Sequence, residues 1–386
     1  MLARPKIEGY LAPQERFEAI LAEAFRRHGP RVVDLGYANA YDGPDPRVLG
    51  AMREALADDS DLSFQYTPYG GNTTTRRLIA IALGKRFGLP LNFRDVVLTP
   101  GAMSALNVVF RSLFAGDEEC LVLTPCWLDY PLYLENLAVP FRFVPLGREK
   151  HLDLEAIRAA ITPRTRAILF SHPGCPSSVM LNDGELKDLA DVLASAEAEH
   201  GTEICVIGDE VHRDVNWSGA PFHTVLQYHP RSVSIFSFGK ALFLQGQRIG
   251  YIAVSPAMPR REEMRSCLER LVRVMGFCTP TNLMQRAVRS LLDYAPRLDV
   301  VVRRQAMARD ALRAAGYEVI DGDATFFVYV RSPVADEFSF VERLAGKGVI
   351  VLPSSVFHEP GHFRLSLTAR TEALEAGLPA FREVMA

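Results

Sequence analysis

Short apolar runs alternate with longer amphipathic runs through the middle of this chain, and this alternation constrains the fold more than any other feature. The apolar runs have the length of buried strands, and the runs between them have the spacing of helices. Strands are predicted at Val96–Thr99, Cys120–Thr124, Phe141–Pro145, Ala167–Ser171, Ile204–Ile207, Val233–Phe236 and Ile249–Val254. Helices are predicted between them at Ser104–Phe114, Leu154–Ile161 and Asp183–Ala198. The alternation predicts an α/β fold with a mostly parallel sheet that helices cover on both faces.

The pattern differs at the two ends of the chain. Helices are predicted after Arg260 at Glu262–Met275, Asn282–Tyr294, Leu298–Ala315, Phe338–Ala345 and the C-terminus, with strands at Tyr317–Ile320, Thr325–Val330, Val349–Leu352 and Phe363–Leu367. At the other end, Phe17, Ile20, Leu21 and Phe25 have helical spacing and precede a short strand candidate at Val32–Leu35. We therefore expect an N-terminal arm over residues 1–30, a large domain over 31–275 and a smaller α+β domain over 276–386.

Composition restricts the class of protein. Hydrophobic residues make up 48% and charged residues 23% of the 386 residues, which is typical of a soluble globular protein. The formal net charge of -3 favours neither a nucleic-acid nor an anionic-membrane partner. Because no apolar run has the length of a membrane span and the N-terminus lacks an apolar signal core, a cytoplasmic location is predicted. The six cysteines form no C-x-x-C pair, so we expect reduced thiols and no metal site.

Several chemically useful residues directly follow predicted strands. The segment Gly101-Ala102-Met103 lies at a turn from strand to helix, where the free N–H groups of a helix start favour a phosphate. Trp127, Asp209 and Lys240 each lie just past another strand. Since the carboxyl ends of parallel strands meet at one edge of the sheet, we expect these residues to share one site.

Lys240 lies in the segment Ser237–Arg248, which reads SFGKALFLQGQR. A lysine amine at the end of a rigid strand can form a Schiff base with an aldehyde cofactor. Ser237 and Arg248 are placed to hold a phosphate dianion beside it, the arginine through a fork of donors. An exposed loop lysine is the alternative for this residue alone, and the rest of the chain decides between the two.

The S-x-x-K-x7-R spacing of this segment resembles the cofactor lysine segment of class I/II aminotransferases, which are pyridoxal 5'-phosphate (PLP) enzymes of fold type I. Asp209 lies in a D-E-V motif of the family, and the T-x-G-A-x-x-A-L run from Thr99 is similar to its phosphate loop. The Y-x-x-x-G pattern from Tyr66 and the arginine Arg364 near the C-terminus resemble two further motifs. The motifs occur in the family's order from about Val32 onward, so the chain is identified as a member of this family.

The resemblance implies a role for each residue around the cofactor ring. Lys240 is expected to hold PLP and to move the proton of the substrate Cα. Asp209 is expected to keep the pyridine nitrogen protonated, so that the ring accepts electrons when a bond at Cα breaks. Trp127 is expected to stack on the ring, although a tryptophan in the core is the alternative.

The resemblance also implies how the phosphate and the substrate are bound. Ser237, Arg248 and the amides after Gly101 are expected to bind the phosphate. Tyr66 is expected to reach the phosphate of a partner subunit in a homodimer that shares its active sites, and a core or turn tyrosine is the alternative. Arg364 is expected to grip the α-carboxylate of a free amino acid.

Two positions depart from the family pattern. The N-P-x-N-P-T-G signature reads His172-Pro-Gly-Cys-Pro-Ser-Ser178 here, which puts Cys175 where the family has an asparagine that bonds the cofactor's phenolic oxygen. The tyrosine that bonds the same oxygen is replaced by His212. His212 either takes over the tyrosine's bond or marks a retuned cofactor, because such groups set the pKa of the lysine adduct. The D-E-V-H-R-D run further resembles the D-E-I-H motif of PLP carbon–sulfur lyases.

The resemblance implies an enzyme that acts on a free L-α-amino acid, and transamination is the leading hypothesis. Elimination, replacement or cyclisation on the same cofactor is the main alternative, and a racemase, a decarboxylase or a non-catalytic sensing protein is also open. The substrate side chain is not predicted, because no second arginine for an acidic group can be placed. Tyr37, Asn39 and Tyr69 fall in segments that often line the substrate entrance of the family, and core or turn roles are the alternative.

Overall fold

The computed structural model describes residues 5–39, 41–57, 60 and 63–385. Within these residues the strands are β1 (Val33–Asp34), β2 (Val96–Thr99), β3 (Glu119–Thr124), β4 (Phe141–Pro145), β5 (Thr165–Ser171), β6 (Cys205–Asp209), β7 (Ser232–Ser237), β8 (Gly250–Val254), β9 (Phe327–Arg331), β10 (Val349–Ile350), β11 (Leu352–Pro353) and β12 (His362–Ser366). Strands β2 to β8 form one seven-stranded sheet in the order β2-β8-β7-β6-β5-β3-β4. Its strands are parallel except β8, which runs antiparallel to both of its neighbours. This arrangement confirms the predicted mostly parallel sheet.

Helices cover both faces of this sheet. The described helices are α1 (Pro5–His28), α2 (Pro46–Ala57), α3 (Thr73–Phe87), α4 (Ala102–Leu113), α5 (Tyr130–Asn136), α6 (Leu154–Ala160), α7 (Asp183–His200), α8 (Phe238–Ala241), α9 (Arg261–Val274), α10 (Asn282–Ala287), α11 (Asp299–Ala314), α12 (Glu337–Gly346) and α13 (Thr371–Met385). Successive residues of β3 point to opposite faces, so Cys120 and Val122 join a core with α4 and α9, whereas Leu121 and Leu123 join a core with α6 and α7. Both faces are therefore apolar, which explains why the strands read as continuous apolar runs. Among the described residues, every helix is too short or too polar to cross a bilayer.

A second, smaller unit is built from the two ends of the chain. Strands β11, β12 and β9 form an antiparallel sheet, and β1 pairs in parallel with β10. Phe17 of α1 and Leu35 after β1 are fully buried in the same core as Phe340 and Phe363. The helical arm thus packs with the C-terminal elements. The division into residues 1–30, 31–275 and 276–386 stays a prediction.

Three predicted elements differ in the structure because tertiary contacts decide their extent. The strand predicted at Tyr317–Ile320 is reduced to an isolated bridge between Val319 and Val330. The strand predicted at Val349–Leu352 is divided at Val351, because β10 pairs with β1 whereas β11 pairs with β12. The helix predicted at Asn282–Tyr294 ends at Ala287 and continues as a 3-10 turn. Helix α5 was not predicted.

Candidate active site

A cavity of about 190 Å³ lies at the carboxyl ends of the strands of the large sheet. Most of the residues predicted to share one site line it, from several different loops. They are Ala102, Met103, Trp127, Cys175, Asp209, His212, Ser237, Lys240 and Arg248. The sequence did not point to five further lining residues, Leu106, Ser171, Val211, Gly239 and Gln245. The expected convergence of strand ends therefore occurs, although the chemical roles of these residues stay predictions.

Gly101, Arg364 and Tyr66 are the predicted site residues that lie outside the lining. Gly101 lies directly behind it, since a Cβ added to this glycine would be 2.5 Å from Nη2 of Arg248. Arg364 is close enough to Cys175 for its positive charge to oppose the rise that burial causes in the pKa of the thiol. Tyr66 is 94% exposed and does not line the cavity of its own chain.

Lys240 is held at the end of β7 by a single helical turn. Ser237 caps this turn, because its hydroxyl accepts a hydrogen bond from the amide of Gly239 at 3.4 Å. This cap explains why Lys240, which was predicted just past the strand, lies in the short helix α8. Burial is the main cause that lowers the pKa of Lys240 from its ordinary value, and the charges of Arg364 and Arg248 add to it. A lysine with a lowered pKa is more easily present as the neutral amine.

Asp209 is buried and held by a tyrosine that the sequence did not indicate. The hydroxyl of Tyr130 on α5 donates a 2.6 Å hydrogen bond to Oδ2 of Asp209, and Tyr130 is itself fully buried. Burial raises the pKa of Asp209 to about 6, against the opposing effects of the tyrosine hydroxyl and the Lys240 charge. The position of Tyr130, three residues after Trp127 at the same strand end, was the only available signal in the sequence.

Glu210, next to Asp209, faces the opposite side of the strand, where it stabilises the fold and does not line the cavity. Its carboxylate is fully buried and accepts hydrogen bonds from Thr224 Oγ1 at 2.7 Å, Ser234 Oγ at 2.6 Å and the Val225 amide at 3.0 Å. Arg213, also buried, lies 3.4 Å from the same carboxylate. Strand alternation therefore gives the two acidic residues of the D-E pair different environments.

Replacing Glu210 with alanine is expected to lower the free energy of unfolding by about 3–5 kcal/mol, because it leaves Arg213 buried without its closest charge partner. Asp209→Asn keeps the shape of the side chain and an acceptor for Tyr130, so we expect a stability change within about 1 kcal/mol and a loss of activity of about 100-fold. Denaturant unfolding followed by circular dichroism measures the first effect, and steady-state turnover measures the second. Equal unfolding midpoints for the two variants would contradict the assignment.

His212 and Cys175 form the part of the lining that departs from the family pattern. The His212 ring is buried, and neither of its nitrogens has a hydrogen-bond partner among the described residues. The rings of Phe326 and Phe327 contact it edge-on, with centroids 6.1 Å and 5.6 Å away. Burial, together with the charges of Lys240 and Arg364, holds the pKa of His212 well below its ordinary value, so the ring is neutral and offers one donor and one acceptor.

Arg364 is a buried cation with unused donors. It is 2% exposed, and its Nη2 donates a 2.8 Å hydrogen bond to the carbonyl of Gly36. Nε and Nη1 have no oxygen or nitrogen acceptor among the described residues. The ring centroids of Phe327 and Phe357 lie 4.0 Å and 4.8 Å from the guanidinium carbon. Burial lowers the pKa of Arg364 to about 10, as expected for a charge that still lacks an anionic partner.

The three residues expected at the substrate entrance have different settings. Tyr37 directly follows Gly36, is half-buried and packs edge-on against Phe17 with centroids 5.6 Å apart. Asn39 is exposed, and Tyr69 carries the guanidinium of Arg273 5.5 Å above its ring. Of the three, Tyr37 is the one placed beside Arg364, whose charge acts on its hydroxyl.

Known proteins resemble this chain over nearly its whole length. Residues 30–379 match the family described as aminotransferase class I and II. The aspartate/prephenate aminotransferase of Thermus thermophilus is 28% identical over 380 residues, which cover 93% of this chain and 92% of that protein. A crystal structure of an aminotransferase from Eubacterium rectale has the same fold, with a TM-score of 0.91 at 23% identity over 100% of this chain and 98% of that one. The Thermus thermophilus aspartate aminotransferase with maleate has a TM-score of 0.86 at 25% identity, with 100% of both chains covered.

Proposed function

Because this chain belongs to the aminotransferase class I and II family, we propose that it uses pyridoxal 5'-phosphate, bound at Lys240, to transfer the amino group of a free L-α-amino acid to a 2-oxo acid. The observation that carries the proposal is the meeting of an amine, a buried carboxylate and a guanidinium, those of Lys240, Asp209 and Arg248, around one cavity. These are the groups that an aldehyde, a pyridine nitrogen and a phosphate require.

The residues around the cavity fit this cofactor. Gly101 lies at the start of α4 with a φ of 86°, which leaves the first amides of the helix accessible beside Arg248. Unpartnered polar atoms also face the cavity, namely the ring nitrogens of His212 and Nε2 of Gln245. Buried donors of this kind are costly until a ligand accepts from them. Ser237 would complete the phosphate site and Trp127 would stack on the ring.

When bound, PLP supplies an electron-accepting ring that stabilises negative charge at the substrate Cα. Lys240 then acts as the proton carrier at that carbon, and its lowered pKa favours the neutral amine that takes a proton. Tyr130 holds Asp209 in place through its 2.6 Å bond, so the carboxylate remains directed into the cavity. The neutral His212 offers a fixed donor to an oxygen in the cavity, a bond that the thiol of Cys175 makes only weakly.

Arg364 is proposed to bind the α-carboxylate of the substrate. Nη2 donates only one of its two hydrogens to Gly36, so its second hydrogen forms a pair of parallel donors with either Nε or Nη1, and this pair suits one carboxylate. The bond from Nη2 to the carbonyl of Gly36 and the rings of Phe327 and Phe357 fix the orientation of the guanidinium before substrate arrives. Such preorganisation lowers the entropy lost on binding.

We also propose a homodimer in the cytoplasm. Phe64 and Tyr66 are 65% and 94% exposed, while the adjacent Thr67 is anchored to Thr279 through a 3.0 Å hydrogen bond. A tyrosine that projects from an anchored segment is suited to enter the site of a second copy. Sedimentation is expected to give twice the chain mass, and Tyr66→Phe is expected to weaken cofactor binding about 10-fold without changing this mass.

The proposed cytoplasmic location agrees with the state of the cysteines. The six free cysteines favour a reducing compartment.

Gly101→Ala is expected to weaken PLP binding about 10- to 100-fold. The new Cβ would displace the Arg248 guanidinium, and the φ of 86° would be strained for alanine. Gly219→Ala is the matched control, because its φ is 80° and no atom lies within 4 Å of the added Cβ. Fluorescence titration of the apoenzyme with PLP measures both variants. Equal affinities of the two variants would contradict the proposed role of the Gly101 turn and Arg248 in binding the phosphate.

The reaction itself is tested on the reconstituted protein without any 2-oxo acid. We expect each reactive amino acid to change the cofactor absorbance once and to release one equivalent of its 2-oxo acid per site. A second 2-oxo acid should then restore the original spectrum. Many turnovers without an acceptor, with release of ammonia, would contradict transamination and favour elimination.

A further inference from the structure

We infer that Lys150 and Glu359 are positioning residues for the substrate, because their buried ion pair fixes the place of Arg364 relative to Lys240. The inference rests on the proposed function, in which Arg364 binds the α-carboxylate. It goes beyond that function, since neither Lys150 nor Glu359 lines the cavity. The pair joins the large sheet to the smaller unit, which supplies Arg364.

Lys150 is a buried cation that the proposed chemistry does not use. It lies in the turn between β4 and α6, at the edge of the large sheet where the cavity also lies. Its side chain is 4% exposed, and Nζ donates a 2.8 Å hydrogen bond to Oε1 of Glu359. Its φ of 66° is in the left-handed region, which residues other than glycine rarely adopt. A 2.9 Å bond from the Lys150 amide to the carbonyl of Gly147 holds this conformation, so the turn directs a charged side chain into the protein.

Glu359 connects Lys150 to the strand beside Arg364. Its second oxygen, Oε2, accepts a 2.8 Å hydrogen bond from the hydroxyl of Tyr329 on β9, and Tyr329 is fully buried. Tyr329 and Arg364 are directly opposite each other in the pairing of β9 with β12, so their side chains project from the same face of the small sheet. A chain of hydrogen bonds therefore runs from the turn after β4 to the neighbour of Arg364.

The two residues that precede this glutamate are also bonded to the large unit. The carbonyl of Phe357 accepts a 3.1 Å hydrogen bond from the amide of Cys126, which follows β3. Nε2 of His358 donates a 3.1 Å hydrogen bond to the carbonyl of Leu128. Since the centroid of the Phe357 ring lies 4.8 Å from the guanidinium carbon of Arg364, these bonds support the arginine from a second side.

These contacts together set the distance between the two charged groups that handle the substrate. Lys240 belongs to the large sheet and Arg364 to the small one, so a shift of the small sheet changes where the carboxylate is held relative to the proton carrier. A misplacement of about 1 Å in an active site lowers rates by up to about 100-fold. A buried ion pair resists such a shift, because separating its charges in a low-dielectric interior is unfavourable.

Lys150→Met tests the inference in single-turnover reactions of the holoenzyme, followed by the absorbance of the bound cofactor. The substrate is whichever of L-alanine, L-aspartate, L-glutamate and L-phenylalanine reacts fastest with the parent protein. We expect the amino acid concentration for half-maximal rate to rise roughly 10- to 100-fold. PLP affinity should stay within about 2-fold, because the groups proposed to bind the cofactor belong to the large sheet and are distant from the substitution.

Arg148→Met is the matched control from the same turn. It also removes an ion pair between the two units, that with Glu318 at 3.1 Å, but these side chains are 73% and 43% exposed. Exposed pairs contribute little, so the half-maximal concentration should not change. An equal rise in both variants, or no rise in Lys150→Met, overturns the inference.

A double-mutant cycle with Arg364→Met measures the coupling between the ion pair and the arginine. In the Arg364→Met protein, which already lacks the carboxylate partner, Lys150→Met should lower the second-order rate constant by less than about 2-fold further. A loss as large as in the parent background would mean that Lys150 acts only on the fold, which overturns the inference. If Lys150→Met does not fold, Glu359→Gln takes its place in both backgrounds, since glutamine keeps an acceptor for Tyr329 and removes only the charge. No absorbance change with any amino acid in the parent protein overturns the proposed function and the inference with it.

Discussion

Replacing Lys240 with alanine is expected to lower turnover by about 10⁴-fold, the upper range for removal of a general acid–base group. The residue is proposed both to hold the cofactor and to carry the proton at the substrate Cα, and no other lysine among the described residues lines the cavity. The variant should still fold, because a half-buried amine with a lowered pKa adds little to stability. Steady-state assays with the preferred amino acid measure the loss.

The covalent role of Lys240 has a readout that does not depend on turnover. Borohydride treatment of the holoenzyme should attach the cofactor irreversibly to the peptide that contains Lys240, as detected by mass spectrometry. Lys187→Ala is the control, because Lys187 pairs with Asp183 on the exposed face of α7 and its side chain is 63% exposed. A Lys240→Ala protein that still retains reduced cofactor, or turns over within 10-fold of the parent, would refute the assignment.

Replacing Arg364 with methionine is expected to have opposite effects on activity and on stability. Loss of the proposed carboxylate partner should lower kcat/KM by about 10³-fold, mostly through KM. The free energy of unfolding should increase by about 1–3 kcal/mol, because an apolar side chain replaces a buried guanidinium that lacks an anion. Burial lowers the pKa of Arg364 to about 10, which shows that the charged form of this side chain is less stable here than in water.

Thermal unfolding of the apoenzyme and kinetic assays of the holoenzyme measure the two effects. Arg331→Met is the matched control from the same small sheet, because Arg331 is half-exposed and already pairs with Glu318 at 3.0 Å. This control should change neither kcat/KM nor the unfolding temperature appreciably. A destabilised Arg364→Met protein would mean that the guanidinium contributes to the fold through the carbonyl of Gly36 and its two aromatic neighbours.

The sequence predicted the large sheet well because burial on both faces leaves a simple pattern. Each internal strand reads as an apolar run, and a single feature of that pattern, the position just past the run, selected Trp127, Asp209 and Lys240. All three line the same cavity. The end of a strand can be recognised from the local sequence, and in a parallel sheet the carboxyl ends of the strands lie at the same edge. The residues that follow these strands are therefore predicted to lie together.

Contacts between distant segments were not predictable in the same way. The bond from Tyr130 to Asp209 joins α5 to β6, and the position of Tyr130 near a strand end does not identify Asp209 as its partner. The division of Val349–Leu352 between two sheets depends on which strand lies on either side, which is a property of the folded state. The unused donors of Arg364 likewise appear only when its neighbours are known.

The pairing of β1 with β10 also determines when the protein can become functional during its synthesis. Val33 and Asp34 leave the ribosome 316 residues before their partners Val349 and Ile350. Gly36, which follows β1, supplies the carbonyl that orients Arg364. Contacts between such distant parts of the chain form slowly, so the arm must wait for the C-terminal strands before it packs. A nascent chain arrested before residue 349 should therefore contain a folded large sheet but an arm that proteases still cleave.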